Sequence, residues 1–207
     1  MMGDGAYLSM ADELQAFSTL ANNGAKLPQT LIISAKLNGK AKVLGVEASR
    51  QQAIKQDTAY IINDIMSDPN ASYLPGSCDA TSCKNLADGG YKFQRYQGWK
   101  FAVDDGITNN GFDAIMGSWS SKYAVISWVG NHSRDQNVLQ YGVTNEQLTI
   151  PLTRGLMEAA HNGKTSSNWP KPADIKTLPA YVLTTHIHYG DIEPSPTTDL
   201  YPSWYKQ

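Results

Sequence analysis

Three short apolar runs, at residues 99–103, 114–119 and 123–129, constrain the fold more than any other feature of the sequence. Only Ser120, Ser121 and Lys122 separate the second run from the third, which is too short for the crossover that parallel strands require. The Val, Ile and Trp residues of these runs favour strands, so the second and third predict an antiparallel hairpin. Such a sheet buries its faces only if other segments cover them.

Three other segments have the spacing of amphipathic helices. The first follows Ser9 and ends before Gly24, because glycine suits the left-handed position after a helix. The second is predicted to begin at Ser49 and to end at Asp68, which precedes a proline. The third lies within residues 144–163. These helices are the expected cover for the sheet.

Two further signals complete the order of elements. Strand-like runs flank Asn38-Gly39, a dipeptide that favours a two-residue hairpin turn. Residues 70–98 are typical of a loop, and the tail from residue 192 is rich in Pro, Ser and aromatic residues and is predicted to lie extended on a surface. Strands cluster and helices flank them, so the sequence predicts an α+β fold with an antiparallel sheet.

The composition is that of a globular protein, with 41% hydrophobic residues, 17% charged residues and a formal net charge of −2. This charge balance does not indicate nucleic acid or an anionic membrane as a partner. No apolar run reaches the roughly 18 residues that a spanning helix needs, so we expect no transmembrane segment. The first ten residues lack the basic and apolar regions of a signal peptide.

Cys78 and Cys83 are the two cysteines of the chain. Their spacing is not that of a zinc site, which needs three or four ligands. A disulfide between them would close a small ring, stabilise the fold by about 2 kcal/mol in the chain-entropy model, and indicate an oxidising compartment. The alternative is two unpaired thiols on a loop.

Asp104 and Asp105 follow a predicted strand and precede Gly106, so they belong either to a turn or to a site. In a turn, one carboxyl would cap local N–H groups. In a site, the pair would bind a metal or act as acid and base, although no third ligand is identifiable nearby. His186 and His188 alternate on one strand-like run and share a face, so they are either packed or solvated residues or part of a metal site.

Three separated stretches carry a resemblance to a known family. They read "LSMADELQAFSTLANNGAKLPQTLIISAKLNGK", "AIKQDTAYIINDIM" and "FAVDDGITNNGFDAIMGSWSSKYAVISWVGNH". Their sequence and order resemble the C-terminal half of the transpeptidase domain of class A penicillin-binding proteins, which are bacterial serine acyl-transferases that cross-link peptidoglycan. The resemblance covers residues 5–160. It implies a partial fold of the penicillin-binding-protein and serine β-lactamase type over residues 1–163, with a C-terminal extension packed on it over residues 164–207.

The family uses three motifs, and this sequence departs from all of them. S-x-x-K supplies the nucleophile, S-x-N assists it, and a strand carries K-T-G. The resemblance begins downstream of the first two motifs, and the serine-to-lysine spacings at Ser34 and Ser120 are too short. Alignment on Gly106 places Asp104 at the lysine position and Asp105 at the threonine position. The remaining positions of this degenerate motif are Ile107, Thr108 and Asn109.

These departures imply a loss of catalysis. Without the nucleophile no acyl-enzyme forms, so we assign no catalytic residue to this chain. At 4 Å and an effective dielectric of about 20, Asp104 would repel a substrate carboxylate by roughly 4 kcal/mol, whereas a lysine would attract it. The backbone N–H at Ile107 still corresponds to the family's oxyanion donor, because any residue except proline can supply it.

The resemblance also sets expectations about partners. It implies a D,D-transpeptidase domain outside the cytoplasmic membrane, in a membrane-anchored relative, with no cofactor and no metal. A peptidoglycan stem peptide or a β-lactam would bind if a missing N-terminal half completed the cleft. The alternative is a non-catalytic module that binds a stem peptide or a protein. We also expect self-association or an exposed apolar patch, because that half would otherwise cover part of the surface.

Overall fold

A computed structural model describes residues 8–32, 34–43, 50–68, 100–108, 111–130, 139, 148–164, 168–179 and 198–205. The helices are α1 (Met10–Ala21), α2 (Gln56–Met66) and α3 (Thr149–His161). The strands are β1 (Ala25–Lys26), β2 (Ser34–Leu37), β3 (Lys40–Val43), β4 (Gln51–Gln52), β5 (Ala102–Ile107), β6 (Asp113–Trp119), β7 (Ala124–Gly130), β8 (Lys176–Pro179) and β9 (Thr198–Tyr201). None of the described helices is both long enough and apolar enough to cross a membrane.

The central sheet consists of β5, β6 and β7 in that order, and all neighbours are antiparallel. Four residues, Ser120 to Tyr123, make the tight connection from β6 to β7, and Ser120 N donates to Tyr123 O at 2.8 Å. Smaller two-stranded sheets pair β1 with β4, β2 with β3, and β8 with β9. The predicted α+β class, with an antiparallel sheet flanked by helices, is confirmed.

Helices cover both faces of the central sheet. Val103 and Met116 point to one face, where they form a buried cluster with Ile150 and Met157 of α3. Ala102 and Trp119 point to the other face, where they pack with residues of α1 and α2. Because neighbouring residues of a strand alternate between faces, these two clusters assign every position of β5 and β6 to the α3 face or to the α1 face.

A buried polar bridge fixes α1, α2 and β6 relative to one another. The indole Nε1 of Trp119 donates to Asn63 Oδ1 at 2.7 Å, and Asn63 Nδ2 donates to the carbonyl of Leu20 at 2.8 Å. The Asn63 side chain is fully buried, so these bonds satisfy groups that water cannot reach. Phe17 stacks on Trp119 with ring centroids 4.9 Å apart, which completes this contact.

The C-terminal segment is held on the same helical layer at two places. Trp169 Nε1 donates to the carbonyl of Ala21 at 3.1 Å. Farther along, Asp57 at the start of α2 accepts from Ser203 N at 3.0 Å and from Ser203 Oγ at 2.7 Å. The chain therefore ends by packing on the helices with which it begins.

The sequence predicted α1 and the Asn38-Gly39 hairpin correctly. Ser9 caps α1 in a capping box with Asp12, since each side chain accepts from the other residue's backbone N–H. Asn38 and Gly39 have φ values of 49° and 77°, the left-handed conformations that this hairpin turn requires.

The predicted start of α2 at Ser49 is wrong. The helix begins at Gln56, after Gln51 and Gln52 have paired with β1 as strand β4. The carbonyl of Gly24 then accepts from the N–H groups of Ala53 and Ile54 at 2.9 and 3.0 Å. These long-range bonds satisfy the backbone where the local pattern predicted a first helical turn, so tertiary pairing overrides helix propensity.

Candidate functional site

The site that the sequence singled out lies on β5. Asp104 and Asp105 stand within this strand, not in a turn after it, and their partners on β6 are Gly117 and Met116. Met116 belongs to the buried cluster on the α3 face, so Asp105 shares that face and Asp104 points to the α1 face. Because the two carboxyls lie on opposite sides of the sheet, they do not form an acid pair with each other.

The turn after β5 is capped by Thr108. Thr108 Oγ1 accepts from the backbone N–H groups of Phe112 and Asp113 at 2.9 and 3.0 Å. Thr108 N donates to Asp113 O at 2.9 Å, which closes the hairpin. Gly111 has a φ of 67°, a conformation that glycine adopts without cost. Asn109 lies outside the described residues.

Asp104 instead interacts electrostatically with Glu13 of α1. Phe17 of α1 lies directly over Gly117, the partner of Asp104, since a Cβ at Gly117 would lie 2.2 Å from Phe17 Cε2. Glu13 precedes Phe17 by one helical turn and so lies on the same side of α1. Burial and then the charge of Asp104 raise the pKa of Glu13.

Asp104 itself is exposed to solvent on one side and surrounded by protein on the other. Desolvation raises the pKa of Asp104, and a nearby positive charge and then a hydrogen bond from the backbone of Asp105 lower it in part. A raised pKa on both carboxyls means that burial outweighs the favourable interactions of each. The α1 face of β5 and the neighbouring turn of α1 therefore carry two acidic side chains that interact electrostatically.

The backbone of β5 also has a defined orientation at this site. The Thr108–Asp113 bond sets the pattern of the β5–β6 ladder, in which hydrogen-bonded and non-hydrogen-bonded pairs alternate. Ile107, opposite Ala114, is in a non-hydrogen-bonded pair, so its N–H points away from β6. In the described sheet β5 is an edge strand, and this N–H faces the edge.

The described residues contain a serine–histidine contact that the sequence analysis missed. Ser120 Oγ lies 3.0 Å from His161 Nε2, and it also accepts from the N–H groups of Lys122 and Tyr123 at 3.2 Å each. An oxygen that accepts twice donates its own proton to Nε2, so the imidazole is neutral there. A signal in the sequence could have revealed that His161 is buried. Its spacing is that of the buried face of α3, which also carries Ile150, Thr153 and Met157.

This serine–histidine pair is not accessible to a substrate. Ser120 is 0% exposed and His161 is 2% exposed, with the rings of Phe101 and Tyr123 packed against the imidazole. Burial lowers the pKa of His161, a hydrogen bond to the backbone of Lys164 opposes the shift, and the charge of Lys122 adds to it. The contact joins the β6–β7 turn to the end of α3.

The other candidate site residues from the sequence analysis lie either within the described ranges or outside them. Within the described ranges, no group of three or more His, Cys, Asp and Glu side chains could hold a metal ion. Ser34 and Lys36 lie on strand β2, all of whose residues are exposed, so they are not enclosed in a catalytic cleft. The residues outside the described ranges are Cys78, Cys83, His186 and His188.

Comparison with solved structures supplies a fold relationship. The chain is similar to penicillin-binding protein 1A from Haemophilus influenzae, with a TM-score of 0.70 and 12% sequence identity over 95% of this chain. The likeness shows a penicillin-binding-protein-like fold. The chain spans about a third of the length of that protein, or 32%. No family model and no curated sequence matches the chain.

Proposed function

We propose that this chain is the C-terminal part of a transpeptidase-like domain and that it does not form an acyl-enzyme by itself. The observation that carries the proposal is the acidic character of β5 at Asp104. The sequence resemblance aligns this residue with the substrate-binding lysine of the family, and its charge acts together with that of Glu13, so the local charge is negative. A terminal carboxylate of a stem peptide would be repelled there.

The buried setting of the serine–histidine contact supports the same proposal. The hydroxyl of Ser120 is buried and engaged by His161 and two backbone N–H groups. Nucleophilic catalysis requires a serine that a substrate carbonyl can reach. We extend the proposal to the setting that the family implies, which is cell-wall synthesis on the outer side of the cytoplasmic membrane.

Labelling with a fluorescent penicillin tests this proposal. We expect no covalent label on the chain after denaturing electrophoresis, while an active penicillin-binding protein labelled in parallel serves as the positive control. A stoichiometric adduct on a serine of this chain would overturn the proposal. Mass spectrometry of the labelled band would identify the serine.

A second candidate function is binding without turnover. It is favoured by the edge position of β5, because an extended peptide can add to an exposed strand edge through main-chain hydrogen bonds. The carboxyls of Asp104 and Glu13 beside that edge favour a peptide with a free amino group over one with a free carboxylate. Calorimetry with stem peptides that end in an amide or in a free carboxylate tests this function. If neither peptide gives a heat of binding, this function is excluded.

A further inference from the structure

A hairpin of the chain projects from the rest of the described structure. We call residues 31–43, which contain β2 and β3, the projecting hairpin. All four residues of β2 are exposed, and no other described helix or strand packs extensively on β2 or β3. The chain is held just before the hairpin, where Gln29 Nε2 donates to the carbonyl of Ala11 on α1 at 2.7 Å.

Aliphatic side chains on and beside this hairpin face solvent. Leu31 is 101% exposed, Leu37 is 77% exposed and Ile32 is 57% exposed. Leu37 precedes the Asn38-Gly39 turn and therefore lies at the tip. Each exposed aliphatic side chain loses the stabilisation that burial would give, so three in one segment indicate a surface that is covered in use.

The charge of the same segment has one sign. It carries Lys36, Lys40 and Lys42, and no Asp or Glu occurs between Leu27 and Val46. Leu37 stands directly opposite Lys40 in the β2–β3 register, so apolar and cationic groups adjoin at the tip. The whole-chain charge of −2 conceals this local excess of positive charge.

We propose that the projecting hairpin binds the surface of an anionic lipid bilayer. The leucines and Ile32 enter the boundary between headgroups and acyl chains, and the lysines lie over their aliphatic neighbours with their ammonium groups at the anionic headgroups. This inference goes beyond the proposed function and does not depend on it.

The residue types favour lipid over an acidic protein surface. Protein interfaces are enriched in Tyr, Trp and Arg and depleted in lysine, and their strongest contacts come from those three residue types. The segment from Leu31 to Val43 contains none of the three. Aliphatic residues interleaved with lysines suit a fluid, anionic surface that offers no fixed pockets.

Vesicle sedimentation tests the proposal. The whole chain is mixed with vesicles of phosphatidylglycerol and phosphatidylcholine, or of phosphatidylcholine alone, at about 0.15 M salt. We expect binding only to the vesicles that contain phosphatidylglycerol, and release at 1 M salt because the Debye length falls to about 3 Å. Equal binding to both vesicle types, or binding to neither, would overturn the proposal. Binding to neither would leave an acidic protein as the occupant.

Matched variants locate the contact. Lys36→Gln with Lys40→Gln should weaken binding by about fivefold for each lysine, and Leu37→Ser should weaken it roughly tenfold. The controls are Lys55→Gln with Lys171→Gln for charge, and Leu156→Ser, whose leucine on α3 is 42% exposed. Equal losses in the hairpin and control variants would overturn the assignment to the hairpin.

A fluorescence measurement distinguishes insertion from nonspecific attraction. Leu37→Trp places an indole at the tip, and its difference spectrum against the wild-type chain should shift to the blue when phosphatidylglycerol vesicles are added. Leu156→Trp is the control and should show no shift. A shift in the control alone, or in neither variant while the chain sediments with vesicles, would contradict insertion of the hairpin.

Discussion

The carboxyl of Asp104 on β5 raises the pKa of Glu13 on α1, and it does so across the face of the sheet on which Phe17 packs. Burial is the larger cause of the shift, and the neighbouring charge adds to it. The side chain of Asp105, the adjacent residue in sequence, lies on the other face of the sheet. Two neighbouring acids of the sequence thus act in separate surroundings.

Replacement of Asp104 by Asn should lower the pKa of Glu13, because it removes a negative charge that disfavours ionisation. Carbon-detected NMR titration of the glutamate carboxyls measures this directly. Asp105→Asn is the matched control, since it removes the same charge on the opposite face, and it should leave Glu13 unchanged. An equal shift in both variants would mean that Asp104 and Glu13 do not face each other.

The contact of Asp57 should make the free energy of unfolding decrease as pH falls, whereas Glu13 and Asp104 should make it increase. Hydrogen bonds from Ser203 and Thr58 lower the pKa of Asp57 below its ordinary value of 3.8. The contact therefore stabilises the fold at pH values above 3.8, and this contribution is lost as pH falls through the lower folded pKa. Glu13 and Asp104, whose pKa values are raised, instead destabilise the fold at neutral pH, and the penalty is relieved as pH falls.

Ser203→Ala tests the Asp57 contact. The variant loses the hydroxyl donor at 2.7 Å and should lower the free energy of unfolding by about 1.5 to 3 kcal/mol, the usual range for a hydrogen bond to a charged group. Denaturation with urea at pH 7 measures this value. The pKa of Asp57 should rise in the same variant. Unchanged stability with an unchanged pKa would show that the C-terminal segment is not held at this point.

The Ser120–His161 contact predicts a loss of stability at mildly acidic pH. Burial lowers the pKa of His161 from its ordinary value of 6.5, so the unfolded chain binds the proton first as pH falls. The free energy of unfolding should decrease from about pH 7.5 through 6.5 and level off once the folded imidazole is also protonated. His161→Phe should make this pH dependence smaller than in the wild-type chain. If the free energy of unfolding of His161→Phe depends on pH as steeply as that of the wild-type chain, a group other than His161 causes the pH dependence.

Ser120→Ala tests the other half of that contact. It leaves the N–H groups of Lys122 and Tyr123 and the imidazole nitrogen without their shared partner, which should cost about 1 to 3 kcal/mol. Thermal denaturation followed by circular dichroism measures the change. Ser121→Ala, a substitution at the adjacent residue of the same turn, is the comparison and should cost less.

Gly117→Ala should destabilise the fold, whereas Gly155→Ala should not. A Cβ at Gly117 would meet the Phe17 ring at 2.2 Å, and overpacking of this kind costs about 1 to 3 kcal/mol. At Gly155, an exposed position of α3, a Cβ meets no atom within 4 Å. Alanine there should stabilise the helix by up to about 1 kcal/mol. Equal effects of the two substitutions would contradict the packing of α1 on β6.

Local signals in the sequence were sufficient for much of the fold. The spacing after Ser9, the Asn38-Gly39 turn and the short link through Ser120 each determine their structure within a few residues. The start of α2 could not be predicted in this way, because it depends on the pairing of Gln52 with Ala25 across an intervening hairpin. Periodicity describes neighbours in the chain and contains no information on such a partner.

The sequence predicted which strand carries the candidate site, but it did not predict how the side chains around that strand are arranged. The resemblance placed Asp104 and Asp105 on the strand of interest, and the alternation of β5 then separated them onto two faces. The proximity of Glu13 depends on how α1 crosses the sheet, which is set by the packing of Phe17 over Gly117. The spacing of His161 along α3 indicates that its side chain is buried, but it does not indicate that Ser120 lies beside it.

The bonds from Trp169 to Ala21 and from Ser203 to Asp57 join residues that are 148 and 146 positions apart. On a ribosome, the α1–α2 layer would emerge long before the residues that hold it have been synthesised. That layer would therefore wait, incompletely packed, until the residues that hold it have emerged, and its contacts of high sequence separation would form late. A chaperone that binds nascent chains would have an opportunity to bind α1 and α2 during that interval.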